Sequence, residues 1–348
     1  PSGSSNIYVR YTSPITQTAQ PGQGTVGTIQ LADAGVTPAK LANSGAELGM
    51  RNRIINGNMV IDQRNAGASV TLTSSNAYNL DRWYARAATG SGTTAIQSTT
   101  VPSNYKNSLL ITVGTGASPG STDNNYIAQR IEGLNMADFG WGTATASTVT
   151  LSFWVRSSLT GTFGGAIQNS DVTRSYPFTY TISAANTWEQ KSVTIVGDTS
   201  GTWLTTTGIG MTMTFDLGTG STYQGPANTW ASADYRAASG ATKVIATSGA
   251  TFYVTGVQLE KGSTATPFEN RLYGTELSLC QRYYTVNTYV PYTAAYPPLT
   301  VPFKVSMRTI PTLAGGGAGF TATALNSDLQ QMYQTTPASQ TITATAEL

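Results

Sequence analysis

The chain has 348 residues, a formal net charge of +2 and only 10% charged residues, well below the roughly 25% of an ordinary soluble domain. It has no histidine and a single cysteine, Cys280, which excludes Ser-His-Asp and Cys-His nucleophiles, His-ligated zinc or iron, and a disulfide within one chain. Its 19 basic residues are scattered among 17 acidic ones, so the basic stripe of a nucleic-acid binder is missing and no nucleic-acid partner is expected.

Ser and Thr take the place of charge, at about a quarter of the chain. Thr is β-branched and suits a pleated strand with one wet face. Together with 36 glycines, it predicts short strands joined by tight turns. No apolar run reaches membrane-spanning length, and no secretory leader is evident.

Residues 1–49 read as an extended N-terminal arm. Large apolar residues are few, and Gly22, Gly24 and Gly27 interrupt any regular element. Thr37-Pro38 has the form of a helix start, with Thr37 as N-cap and Pro38 in the first turn. Such a segment cannot bury a core alone. The expectation is a stem in which several chains bury Leu31, Val36 and Leu41 together; a loose terminus is the alternative.

Residues 50–272 carry the strand signals. Val149, Leu151, Phe153 and Val155 alternate with Thr150, Ser152, Trp154 and Arg156. Met211, Met213, Phe215 and Leu217 alternate with Thr212, Thr214 and Asp216. This period of two predicts half-buried strands of an antiparallel sandwich. In Thr251–Leu259 the apolar phase shifts at Gly256, as at a β-bulge. The fold class predicted is all-β: a jelly-roll-type antiparallel β-sandwich over 50–272, followed by a small C-terminal β subdomain over 273–348. Glu276–Tyr284 reads as a short helical turn or a strand start, and Val301–Ile310 as a strand.

The tryptophans are the best functional leads. A sugar ring stacks its C–H face on an aromatic ring and places its hydroxyls against nearby polar groups. Trp154 lies on the polar face of its strand. Trp141, Trp203 and Trp230 lie in Gly/Thr-rich loops, with Tyr223 close to Trp230. These five residues are the candidate carbohydrate platform. The competing reading is that they pack under loops or between subunits. Trp188 reads as core, and Trp83 as core or subunit contact. The C-terminal tyrosines suit either recognition or a subunit interface.

Asp123-Asn124-Asn125 or Asp198 are the only hints of calcium, and no EF-hand spacing is present. No metal or cofactor is predicted. Cys280 reads as a buried, inert thiol.

Several blocks resemble bacteriophage tail-fibre and virion structural proteins. They are Arg51-Asn-Arg-Ile-Ile-Asn-Gly-Asn-Met-Val-Ile-Asp-Gln-Arg64, Asn79-Leu-Asp-Arg-Trp83, Glu276-Leu-Ser-Leu-Cys-Gln-Arg-Tyr-Tyr284 and Met307-Arg-Thr-Ile-Pro-Thr312. Leu151-Ser-Phe-Trp-Val-Arg156, Gly256-Val-Gln-Leu-Glu-Lys-Gly262 and Thr266-Pro-Phe-Glu269 look like jelly-roll carbohydrate-binding modules embedded in such fibres. Leu31–Ala42 is similar to stem repeats of trimeric fibres. The resemblance carries no catalytic motif. It implies a non-enzymatic homotrimer, assembled in the host cytoplasm and displayed on the virion surface. The arm would join it to other virion structural proteins, and host-surface polysaccharide would be its ligand. A purely architectural head fibre, decoration or collar protein is the rival expectation, and a glycan-degrading enzyme is a third. Within the blocks, Gln258, Glu260 and Arg271 are expected to tie loops to strands, and Asp81 and Arg82 to form a local ion pair.

Overall fold

A computed structural model describes residues 50–289, 299–316, 320–334 and 340–348. Leu31, Val36 and Leu41 lie outside these residues, as does the rest of the arm.

The body is a two-sheet sandwich, as the alternation predicts. The first sheet orders its strands β1 (Val70–Thr71), β4 (Thr94–Ser98), β5 (Ser108–Thr112), β14 (Thr251–Lys261), β7 (Val149–Ser157) and β10 (Glu189–Ile195). The second orders β2 (Ala77–Leu80), β3 (Trp83–Ala87), β6 (Asn125–Glu132), β11 (Ile209–Asp216), β8 (Gly161–Gln168) and β9 (Ser175–Ile182). Every pairing within them is antiparallel. Successive strands switch sheets repeatedly, as in a jelly roll. A parallel pair, β12 (Gln224–Gly225) with β13 (Ala237–Ala238), lies outside both sheets.

The core is the set of inward positions that period two dictates. Leu151, Phe153 and Val155 of β7, Met211, Met213 and Phe215 of β11, and Phe252 and Val254 of β14 are all fully buried. Phe153 meets Phe215 and Tyr180 edge-on, each at 4.9 Å between ring centroids, a geometry aromatic quadrupoles favour. The predicted bulge is present: the β14–β7 register shifts between Thr255 and Gln258. Gly256 takes φ +61°, and a Cβ there would lie 2.6 Å from the phenol oxygen of Tyr105.

After the sandwich comes helix α1 (Tyr273–Gln281), which resolves the open reading of 276–284 into a helix followed by β15 (Tyr284–Tyr289). Beyond it, β16 (Leu299–Pro302), β17 (Thr312–Gly315), β18 (Phe320–Ala324), β19 (Leu329–Gln334) and β20 (Gln340–Thr345) form two three-stranded sheets, β15-β20-β17 and β16-β19-β18. The strand expected over Val301–Ile310 is confined to its first two residues.

Blocks 51–64, 79–83 and 276–284 meet in one polar junction. Asn52 Oδ1 accepts from the N–H of Ile54 (2.9 Å) and of Leu259 (3.0 Å). The Gln129 side-chain amide exchanges two hydrogen bonds with the main chain of Ile55 (2.9 and 2.8 Å). Asn56 bridges Ile61 and Asp81 and accepts, through its carbonyl, the indole N–H of Trp83 at 2.9 Å. Arg271 donates to the carbonyls of Asn52 and Ile54. Glu132, which is buried, accepts two bonds from Arg282 (3.1 and 2.7 Å) and one from the Tyr283 hydroxyl (2.6 Å). Each group left unmet at such depth would cost about 1–3 kcal/mol, which is why the junction is closed by so many partners.

One expectation at this junction is corrected. Asp81 and Arg82 form no ion pair. Arg82 adopts a left-handed φ of 69°, and the two side chains diverge. Arg82 pairs with Glu347 and lies over the Tyr283 ring at 3.5 Å, while Asp81 accepts from the main-chain and side-chain N–H groups of Gln63 at 2.6 and 2.8 Å. Burial lifts the Asp81 carboxyl to about 6, against the opposing pull of the Gln63 bonds. Cys280 is fully buried beside Ile55, Ile61 and Tyr283, and burial pushes its thiol well up.

Candidate functional site

On the outer face of the first sheet, Trp154 stands on β7 between Gln190 of β10 and Thr255 of β14. It is half-buried, so one part of the indole packs and another meets solvent. Two loops bring further aromatic rings to it. The loop carrying Tyr105 is held by Thr255, whose hydroxyl donates to the Asn107 carbonyl at 2.7 Å. The absence of a side chain at Gly256 lets the Tyr105 ring lie against the bulge. Tyr105 and Trp154 line the same groove. Burial raises the Tyr105 phenol above its ordinary value, so it stays a neutral hydroxyl.

The second loop carries Phe268, whose ring is 5.6 Å from that of Tyr105. Gln258 and Glu260 hold this loop, as their positions predict. Glu260, buried, accepts from the N–H (2.8 Å) and hydroxyl (2.6 Å) of Thr266, and Gln258 Oε1 accepts the Glu269 N–H at 2.8 Å. Trp154, Tyr105 and Phe268 thereby line an open groove of ≈ 520 Å³, edged by Asn104, Gln190 and Asn270 and containing no acidic side chain. Apolar ring faces flanked by amides are what a sugar requires, namely a stacking surface for C–H groups and partners for hydroxyls. Farther along the same face lies Trp188. It was expected in the core but is half-buried, with its ring 5.9 Å from that of Tyr253.

The other candidate tryptophans are elsewhere. Trp141, Trp203 and Trp230 interlock edge-on, with centroid separations of 4.7 Å (Trp141–Trp203), 5.4 Å (Trp141–Trp230) and 5.6 Å (Trp203–Trp230). Trp141 and Trp203 are only 5% and 7% exposed. All three indole N–H groups donate to main-chain carbonyls: Trp141 to Ser147, Trp203 to Ser200 and Trp230 to Val196. This plug closes a set of loops, and the rings of Trp141 and Trp203 are occupied by one another. Tyr223 belongs to neither group. The Arg236 guanidinium lies over its ring at 4.8 Å.

Tyr105 was not singled out from sequence, and Phe268 entered only within the block Thr266–Glu269. Each is one aromatic residue in a polar loop, with no periodicity to mark it. The usable signal was Trp154, a large ring on the wet phase of a strand.

Among the described residues, no group of three or more His, Cys, Asp or Glu side chains is placed to hold a metal ion. Asp198 is engaged by the Arg174 guanidinium through two bonds of 2.7 Å. Asp123 accepts from the Thr89 hydroxyl (2.6 Å) and the Gly120 N–H (2.8 Å), which hold its carboxyl below the usual range. No helix among the described residues is long and apolar enough to cross a membrane.

No family model matches the sequence, and no curated protein matches it. Among solved structures, the chain is similar to a protein of Bacteroides thetaiotaomicron titled as sugar binding, at 15% identity over 61% of this chain and 100% of that one, with a TM-score of 0.37. It is also similar to a tandem of two family 22 carbohydrate-binding modules from Paenibacillus barcinonensis, at 18% identity over 57% and 50% of the two chains, with a TM-score of 0.31. A family 11 carbohydrate-binding module from Clostridium thermocellum, in complex with a mixed-linked tetrasaccharide, matches at 10% identity over 57% and 98%, with a TM-score of 0.28.

Proposed function

We propose that this chain is a non-enzymatic bacteriophage virion fibre, a tail fibre or spike, that binds a host-surface glycan through the Trp154 groove. The observation that carries the glycan reading is the meeting of Trp154, Tyr105 and Phe268 in one open groove edged by Asn104, Gln190 and Asn270. Stacking on three rings with hydrogen bonds to amides binds a neutral sugar without activating its glycosidic bond. Hydrolysis would need a carboxyl pair roughly 5–10 Å apart, and the groove lining supplies none.

The fibre reading is supported by the resemblance of blocks 51–64, 79–83 and 276–284 to phage structural proteins, and by their convergence on the junction that frames the sandwich. In this reading the chain is a homotrimer joined to the particle through its arm and displayed on the virion surface. Weak binding at each groove is raised by the effective concentration of linked copies.

The test is adsorption competition: soluble full-length protein is added in excess while the virus adsorbs to its host. Adsorption should fall in proportion to the protein added. Unchanged adsorption with folded protein would favour a purely architectural head-fibre, decoration or collar role.

A further inference from the structure

We propose that the outer face of the second sheet holds a separate binding groove for an acidic saccharide, one whose sugar carries a carboxylate. The groove follows from the outward residues of three adjacent strands. Ala128 on β6 and Ala166 on β8 flank Thr214 on β11 in register. Of these three, Thr214 lines the hollow, with Thr212 of the same strand, while the two alanines are fully buried. Larger residues rise on either side: Tyr84 and Arg86 from β3, and Gln168 from β8. The hollow has a volume of ≈ 270 Å³, near the lower end of small-molecule sites, which run roughly 300–1,000 Å³.

Its charge is one-sided. Arg86, Arg130 and Arg236 line it, and no carboxylate does. Two of the three are already engaged: Arg236 pairs with Asp234 at 2.8 Å, and Arg130 donates to a main-chain oxygen of Leu348. Arg86 is different. Its Nε is buried and has no hydrogen-bond partner, and among the described residues it forms no ion pair. A guanidinium short of acceptors favours an anion beside it, and a carboxylate in the hollow would meet its outer N–H groups. The planar fork of arginine matches a carboxylate with two parallel bonds. Asn76 and Thr212 beside it offer amide and hydroxyl partners for sugar hydroxyls. This surface belongs to the opposite sheet from Trp154, so the two sites stand or fall separately.

The full-length protein would be titrated calorimetrically with oligogalacturonate, oligomannuronate and sialyllactose. A neutral gluco-oligosaccharide and inorganic phosphate would serve as controls. At least one acidic sugar should bind, weaken as salt is raised, and lose tenfold or more with Arg86→Gln. Trp154→Ala should leave that binding unchanged. Arg86→Gln breaks no hydrogen bond among the described residues, so its thermal midpoint should match the parent and separate lost binding from lost structure. The proposal is overturned if none of the three acidic sugars binds, if Arg86→Gln leaves their binding intact, or if phosphate alone binds.

Discussion

Two aromatic clusters of this molecule use tryptophan in opposite ways. At the plug, Trp141, Trp203 and Trp230 turn their faces and edges to one another, and their indole N–H groups end on main-chain carbonyls. At the groove, Trp154 stands on a strand whose neighbours are Gln190 and Thr255, and its half-buried ring lines the groove with Tyr105. The first arrangement spends the ring on folding. The second leaves part of it open to solvent. The difference comes from position. A loop tryptophan can be met from several sides by other loops, whereas one on the wet phase of a strand has the sheet beneath it and only loop tips around it.

Substitutions should separate the two clusters. The largest stability effect is expected at the plug: Trp203→Ala removes a buried ring that two other tryptophans pack upon, and should cost about 3–5 kcal/mol by denaturant unfolding. Trp154→Ala should cost about 1 kcal/mol or less, since the ring is only half-buried. Equal losses at the two positions would break the distinction.

A second expected effect concerns acid and the sandwich itself. Burial raises the Asp216 carboxyl from 3.8 to about 6, although the N–H groups of Gly218 and Thr219 oppose the change. A carboxyl raised in the folded state holds its proton more tightly there than in the unfolded chain. Its contribution therefore favours folding below about pH 4 and is lost as pH rises through about 6, a difference on the order of 3 kcal/mol. Asp81 acts in the same direction. Asp216→Asn keeps an oxygen for Gly218 and Thr219, which both donate to Oδ1, and removes the titration. The variant should gain stability relative to the parent at pH 7 and lose that advantage near pH 4, as read from thermal midpoints across that range. A parent-to-variant difference independent of pH would contradict it.

A smaller effect is expected at the rim of the groove. Gly256→Ala forces a methyl group to within 2.6 Å of the Tyr105 phenol oxygen, at a φ of +61°. The backbone cost is about 1–2 kcal/mol. Glycan affinity should fall several-fold as Tyr105 is displaced, while the tryptophan plug keeps its near-ultraviolet signature. Unchanged affinity would remove Tyr105 from the site.

Much of this was legible in the chain. The alternation of Val149–Arg156 and Met211–Leu217 fixes which side chains enter the core, and the phase shift at Gly256 marks the bulge. The position of Trp154 on the polar phase follows from the same counting. The rest depends on contacts between distant residues. Nothing near Arg82 in sequence announces Glu347, 265 positions away, so a local pair with Asp81 was the natural expectation. The tryptophans of the plug have the same Gly/Thr-rich surroundings that a ligand-binding loop would have, and only the folded chain shows that they meet one another. Tyr105 and Phe268 are joined through the Gly256 bulge and the Gln258–Glu260 anchor, which local sequence does not connect.

In the proposed function, the Trp154 groove is where this protein meets its ligand. The most direct measurement is adsorption competition run with three proteins in parallel: the parent, Trp154→Ala and Arg156→Ala, each confirmed as folded by its thermal midpoint. Arg156 lies farther along the same face, over the Tyr253 ring at 4.8 Å, and does not line the groove. The parent and Arg156→Ala should block adsorption equally, and Trp154→Ala should require at least tenfold more protein for the same effect. If Trp154→Ala blocks adsorption as well as the parent does, the groove is not the receptor site.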